Sequence, residues 1–256
     1  MSDTNNFKEF NSIFNKKGFF KIDKFFDEKT IKEIKLDLNK IINLKPKEIF
    51  FYKDRNDLLR RIERFANYSE TFKKVDLEIK KFLYLTFNKK FCLFKDKCNF
   101  KPSFGEGFYP HYDGIFKWID KNGKNRNGWY DYANEFFNVL VVLDDFLEEN
   151  GPLEISQMHN GNFESLLEKT KLNGTPDLNE EEYLKCNFEK MICKSGSIIV
   201  FSNKCPHKSQ KNNTDKDRGS LYYTYNPVKF GDHYDKYFID KSSSQNTQSK
   251  SLSGQK

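Results

Sequence analysis

Apolar residues in the first ninety positions recur with a helical period. Phe7, Phe10 and Phe14 fall three and four apart, which predicts a short amphipathic helix that Gly18 stops. Phe19-Phe20-Lys21-Ile22 follows as a short strand. Asp27 stands at an N-cap position ahead of Ile31, Ile34, Leu36, Leu38, Ile41 and Ile42, so a helix is expected over 28–43. Ser69 occupies the same kind of position before Phe72, Val75, Leu77, Ile79, Phe82 and Leu83, and predicts a helix over 72–87.

Beyond residue 90 the period shortens. From Phe94 to Lys101 apolar and polar residues roughly alternate, as on a half-buried strand. Further strands are expected at 108–112, 137–143, 153–157, 197–201 and 221–225, with Gly, Asn, Pro and Asp between them. Residues 161–190 read as a charged insertion, helical at 163–171 and 179–185. This order predicts a mainly β protein with α elements. An antiparallel jelly-roll core (91–230) carries a helical N-terminal layer (1–90), together one domain over 1–240. Residues 241–256 are almost wholly Ser, Gln, Lys and Asn and are expected to be a disordered tail.

Composition narrows the class. The 256 residues are 37% hydrophobic but 16% aromatic, with 27 Phe, so a sizeable core is still possible. The formal charge of +7 comes from lysines spread along the chain, a weak pointer to an anionic substrate. The five cysteines include no C-x-x-C pair, which argues against a zinc ribbon or disulfide framework and for reduced thiols. Met1 to Phe10 holds no signal-peptide core, and the run 136–143, broken by Asn138, is too short to span a bilayer. A soluble, cytoplasmic protein without membrane contact is expected. No nucleic-acid-binding motif is present, so the expected partner is a small molecule. The oligomeric state is not legible.

Candidate chemistry centres on Phe108-Tyr109-Pro110-His111-Tyr112-Asp113-Gly114. On extended chain, His111 and Asp113 point to one face. With His207 they make two histidines and a carboxylate, a donor set that leaves positions open on Fe(II). Arg218, eleven residues later, can hold a dicarboxylate in a two-pronged pair. A second copy, His233-Tyr234-Asp235, lies after all of these in a turn, and chain order favours the first. Lys95, Lys97, Asn99 and Lys101 share one strand face, which either lines an anion pocket or meets solvent. His159 either lines the same pocket or serves the structure.

Several stretches together resemble the phytanoyl-CoA dioxygenase family of Fe(II)/2-oxoglutarate oxygenases. They are Leu93 to Lys101, Gly107 to Asp113, Asn150-Gly151-Pro152-Leu153-Glu154-Ile155, Gly196 to Phe201 through His207, and Arg218 through Pro227. Arg61-Ile62-Glu63 matches an element of some bacterial members. Tyr112 departs from a glutamine common between the ligands, and Gln157-Met158-His159 from a small turn. The resemblance implies a double-stranded β-helix with His111, Asp113 and His207 on iron, and Arg218 on the far carboxylate of 2-oxoglutarate. Ser209 and Asn99 would add cosubstrate contacts. It implies an oxygenase that uses O2, releases succinate and CO2, and hydroxylates a C–H; Asp113 is the carboxylate that related halogenases lack. For substrate, the Lys95-Asp96-Lys97 strand and the ending 231–241 resemble bacterial members that act on small metabolites such as aminoethylphosphonate, so a small polar anion is expected, with Lys95, Lys97 and His159 as candidate contacts. An acyl-CoA thioester is the enzymatic alternative, and a non-catalytic basic binding module the other.

Overall fold

The computed structural model describes residues 3–243 except Arg55 and Lys121. The chain begins α1 (Asp3–Lys17), β1 (Phe19–Ile22), α2 (Glu28–Leu44), β2 (Phe50–Lys53), β3 (Leu59–Glu63) and α3 (Glu70–Phe87). It continues through β4 (Phe91–Lys101), β5 (Phe108–His111), β6 (Trp118–Ile119), β7 (Asn125–Arg126), β8 (Phe137–Val142) and β9 (Leu153–Ile155). Then come α4 (Phe163–Leu167), α5 (Glu180–Lys185), β10 (Glu189–Lys190), β11 (Ile198–Ser202), β12 (His207–Ser209), β13 (Arg218–Pro227) and α6 (Tyr234–Ser243). Of the tail expected over 241–256, the first three residues close α6 and residues 244–256 lie outside the described residues.

The caps form as their residue types dictate. The Asp27 carboxylate accepts from Thr30 N at 2.8 Å, and Ser69 Oγ accepts from Phe72 N at 3.4 Å. Gly18 ends α1 at φ +84°, a conformation that suits glycine. It also leaves room for a neighbour, since a Cβ there would stand 2.3 Å from Met158 Cβ.

Seven strands form the larger sheet in the order β1-β11-β8-β13-β4-β3-β2, and four form the smaller, β10-β9-β12-β5. All the paired strands are antiparallel, and the two sheets face each other as a double-stranded β-helix. Strand alternation divides the side chains cleanly. Val139, Val141, Val200, Leu221 and Tyr223 leave the larger sheet on one side and pack with Ile34, Leu38, Val75 and Ile79 of the helical layer. Leu140, Val142, Ile199 and Phe201 point the other way and meet Leu153 and Ile155 of the smaller sheet.

The pattern does not predict the short strands β6, β7, β10 and β12, nor β2 and β3. β2 and β3 extend the larger sheet at its β4 edge, within a stretch whose apolar period suggests helices alone. β3 reads Leu-Arg-Arg-Ile-Glu, and its buried positions include Arg60, Arg61 and Glu63. A strand that buries charge lacks the apolar alternation by which strands are recognised.

The insertion 161–190 lies along the outer flank of β5. Tyr112 N donates to Pro176 O at 3.0 Å and Leu178 N to Pro110 O at 2.8 Å, with a bridge between His111 and Asp177. Phe163, Leu166, Leu167 and Leu178 pack there with Tyr112 and Ile115. No helix among the described residues is long and apolar enough to cross a membrane.

Candidate active site

The two histidines of the cluster meet because β5 and β12 are neighbours. His111 and His207 are direct cross-strand partners, with ring centroids 4.2 Å apart. Each ring is turned by its own chain. His111 Nδ1 lies 2.6 Å from Tyr109 O and His207 Nδ1 lies 3.1 Å from Cys205 O. A carbonyl only accepts, so each Nδ1 carries the proton and each Nε2 is left as a ligand atom.

Asp113 arrives by a different route from the one alternation suggests. The strand ends at His111 and Asp113 sits in the bend beyond it. Gly114 makes that bend at φ +76°, pressed so closely on Trp129 that a Cβ would stand 2.4 Å from the indole. Asn203 pins the turn, taking Asp113 N at 3.3 Å and giving its amide to Asp113 O at 3.2 Å. One potential ligand atom from each of His111, Asp113 and His207 then falls within 4.8 Å of the others.

The electrostatics suit a cation. Burial first, then the neighbouring His207, pushes His111 down to about 4. Burial likewise lowers His207. Burial works to raise the Asp113 carboxyl, but Lys97 foremost, then the two histidines, outweigh it and hold it well below the usual range. At neutral pH the site therefore offers two neutral imidazoles and one carboxylate, the set that binds Fe(II) on one face.

A second pole lies in the same cavity. Arg218 and Lys101 are cross-strand partners on β13 and β4, and both side chains are buried. Arg218 Nε donates to Asn150 O at 2.9 Å, its Nη2 to Gly151 O, and its guanidinium covers the Phe146 ring at 4.4 Å. Lys101 Nζ donates to Gly151 O at 3.0 Å, to Ser209 Oγ at 2.9 Å and to Gln210 O. Among the described residues neither cation is paired with a carboxylate. Burial, then Arg218 and Arg60, pushes Lys101 down to about 6; burial pushes Arg218 down to about 10. A buried guanidinium and an adjacent basic amine that an arriving anion would favour in its charged form make the end of the cavity a socket for an anion.

His111, His207, Arg218, Ser209, Asn99 and Lys97 all line this cavity. Lys97 Nζ lies 3.7 Å from Asp113 Oδ1 and 4.6 Å from the centre of the Tyr222 ring. Asn99 Oδ1 accepts from Arg61 Nε at 2.8 Å, and Arg61 is a further lining residue. The basic stripe of β4 is thus internal rather than exposed. Its first member stands apart. Lys95 reaches away from the cavity to Glu63 at 3.6 Å and to Tyr237 Oη at 3.0 Å. His159 also stands apart, its Nδ1 2.5 Å from Tyr112 Oη. Tyr112 packs instead with Ile115, Phe163 and Leu166, beside the insertion.

The second H-Y-D copy builds structure. His233 Nε2 lies 2.7 Å from Phe230 O, Tyr234 Oη donates to buried Asp96 at 2.6 Å, and Asp235 pairs with Arg64 at 3.2 Å. Tyr234 ties the start of α6 to β4, Asp235 ties it to the end of β3, and His233 fastens it to the turn just before it. Lys101 and Arg61 were the lining residues least legible in advance. Lys101 shared the stripe with Asn99, but only β13 pairing sets it beside Arg218.

These features define a jelly-roll protein with a two-histidine, one-carboxylate centre and a separate cationic socket. Residues 14–220 match the family described as phytanoyl-CoA dioxygenase (PhyH), and the chain belongs to that family. It is 29% identical over 150 residues to a methylphosphonate hydroxylase of Gimesia maris, covering 58% of this chain and 50% of that protein. It is 28% identical over 150 residues to a 2-aminoethylphosphonate dioxygenase from the uncultured bacterium HF130_AEPn_1, covering 58% and 51%. The chain thus spans about half the length of these curated relatives. Among solved structures, EctD from S. alaskensis in its apo form superposes with a TM-score of 0.65 at 16% identity, covering 86% of this chain and 76% of that one. The epimerase SnoN, solved with Fe3+, alpha ketoglutarate and nogalamycin RO, gives 0.66 at 13% identity, covering 88% and 85%. At such identities the likeness is one of fold.

Proposed function

We propose that this chain is an Fe(II)- and 2-oxoglutarate-dependent dioxygenase that hydroxylates a C–H bond of a small, polar, anionic metabolite. The observation that carries the reading is that one cavity is lined both by His111 and His207 of the three-residue cluster and by the Arg218/Lys101 socket. His111, Asp113 and His207 would hold the iron. Arg218, Lys101 and Ser209 would hold the far carboxylate of the cosubstrate, with its keto acid end toward the metal. When bound, iron and 2-oxoglutarate supply the oxidising chemistry: one O2 is consumed, one oxygen atom entering succinate as CO2 leaves and the other entering the substrate as hydroxyl.

The remaining work belongs to the side chains, and it is mainly positioning. Lys97 and Arg61 are basic groups lining the cavity on the β4–β3 side, fit to receive a substrate anion. Phe108, Phe146 and Leu153 supply apolar wall beside them, which limits water. Phosphonates are the substrates to try first, because two relatives are named for acting on them. The test is succinate release from purified protein with Fe(II) and 2-oxoglutarate, against phosphonates, amino acids, betaines and acyl-CoAs. Substrate-dependent succinate with a small anion supports the reading. Stimulation by acyl-CoAs alone would replace the substrate class, and no 2-oxoglutarate consumption under any condition would overturn the function.

A further inference from the structure

Strand β8 reads Phe-Asn-Val-Leu-Val-Val, and Asn138 is its one polar residue, with no exposure at all. Burying an amide in such a strand is costly unless its hydrogen bonds are met. Both ends of this amide are met. Asn138 Nδ2 donates to Asp113 Oδ2 at 3.0 Å, and Thr224 Oγ1 donates to Asn138 Oδ1 at 2.7 Å. Thr224 is only 1% exposed and is the direct cross-strand partner of Asn138 on β13. The direction of the chain follows from charge. An ionised carboxylate only accepts, so Asn138 must turn its NH2 to Asp113, and its oxygen is left for the threonine hydroxyl.

We infer that Asn138, oriented by Thr224, is a positioning residue that sets the rotation of the Asp113 carboxylate and keeps it a one-oxygen metal ligand. The inference rests on Asp113 being a ligand, as proposed above. A carboxylate can offer a metal one oxygen or two. With two histidines, a single carboxylate oxygen leaves three of six positions open, enough for a two-toothed keto acid and O2. A two-oxygen Asp113 would close one of them. Asn203 holds the Asp113 main chain in its bend, but neither of those bonds reaches the carboxylate oxygens. Restraint comes from the sheet wall instead, through Asn138 on one oxygen and Lys97 near the other.

The test uses the whole chain and Co(II), whose visible absorption reports coordination number, without turnover. Asn138→Val should weaken Co(II) binding by about 10- to 100-fold, the usual effect of losing a partner of a metal ligand, and should change the absorption envelope. Thr224→Val should shift both in the same direction by less, and Thr224→Ser should restore wild-type behaviour. Because Thr224 acts through Asn138, the double variant should match Asn138→Val alone. Thermal melts identify any variant that fails to fold, and the milder Thr224 pair then carries the test. Wild-type affinity and absorption in folded Asn138→Val, or in Thr224→Val when it must stand in, would overturn the inference alone, as would fully additive effects. A wild-type chain that takes up no Co(II) would overturn the metal assignment as well.

Discussion

Lys101 Nζ stands 2.9 Å from Ser209 Oγ, at the end of the cavity where its cross-strand partner Arg218 also ends. With its ordinary value of 10.5 pushed down to about 6, Lys101 is mostly neutral in the folded apo protein at neutral pH. A carboxylate arriving beside it favours the charged form. Binding of 2-oxoglutarate near neutral pH should therefore take up protons, seen by calorimetry in buffers of different ionisation enthalpy. Lys101→Met should remove most of that uptake. The sign for stability follows. Between about 6 and 10.5 the unfolded state binds more protons at this residue, so its contribution makes the apo protein more stable as pH rises through that window. Lys101→Met should flatten that slope. Uptake that persists undiminished in the variant would assign the proton elsewhere.

Arg218 should matter to the cosubstrate and not to the metal. Removing one partner of a desolvated charge pair costs about 2–5 kcal/mol. Arg218→Ala should raise the Michaelis constant for 2-oxoglutarate at least tens of fold, and Arg218→Lys by somewhat less, since the charge stays but the fork is lost. Lys216, exposed in the preceding turn, should tolerate alanine. Equal, small effects at 216 and 218 would make the arginine a bystander.

The two H-Y-D copies should separate cleanly. Alanine at His111, Asp113 or His207 should abolish tight metal binding, because each removes one donor of three. His233→Ala should bind metal as the wild type does and lose about 1 kcal/mol of stability, the worth of its bond to Phe230 O. Metal titration and thermal melts decide the matter. A metal defect in the His233 variant alone would reverse the assignment.

Lys97 and Lys95, two apart on one strand, should differ in kind. Lys97→Met should raise the Michaelis constant for an anionic substrate. Added salt should change that constant little, since the side chain is buried away from mobile ions. Lys95→Met should instead cost about 1–3 kcal/mol of stability, because Glu63, fully buried, loses one of its cations. Steady-state kinetics beside denaturant melts would separate the two roles. An equal kinetic penalty at both positions would mean that the stripe acts as one surface.

What was legible in the chain follows the physics of each element. The Asp27 and Ser69 caps and the apolar stripes behind them are local signals, and the helices begin where they indicate. The alternation of β4 marks a strand, yet cannot say which face is covered; the smaller sheet and α6, distant in sequence, decide that its lysines are inside. β3 itself was hidden because Arg61 and Glu63 are buried by pairing rather than by apolarity. His111 and His207 could be matched by type and order, but the Lys101–Arg218 pairing needed the register of two strands. His159 carried no signal that could tell a pocket wall from a partner for Tyr112.

The hydrogen bonds from residues 176–178 to the flank of β5 have a consequence beyond shape. β5 is the last strand of its sheet, and an unprotected rim strand is a template on which a foreign strand can assemble. The insertion occupies that rim with its own chain, at the very residue that carries the first histidine. If this stretch peels away, a neighbouring molecule can dock where Asp177 was, and the geometry of His111 changes with it. Self-association and loss of the His111/Asp113/His207 geometry would then be one event, starting from a stretch that does not line the cavity.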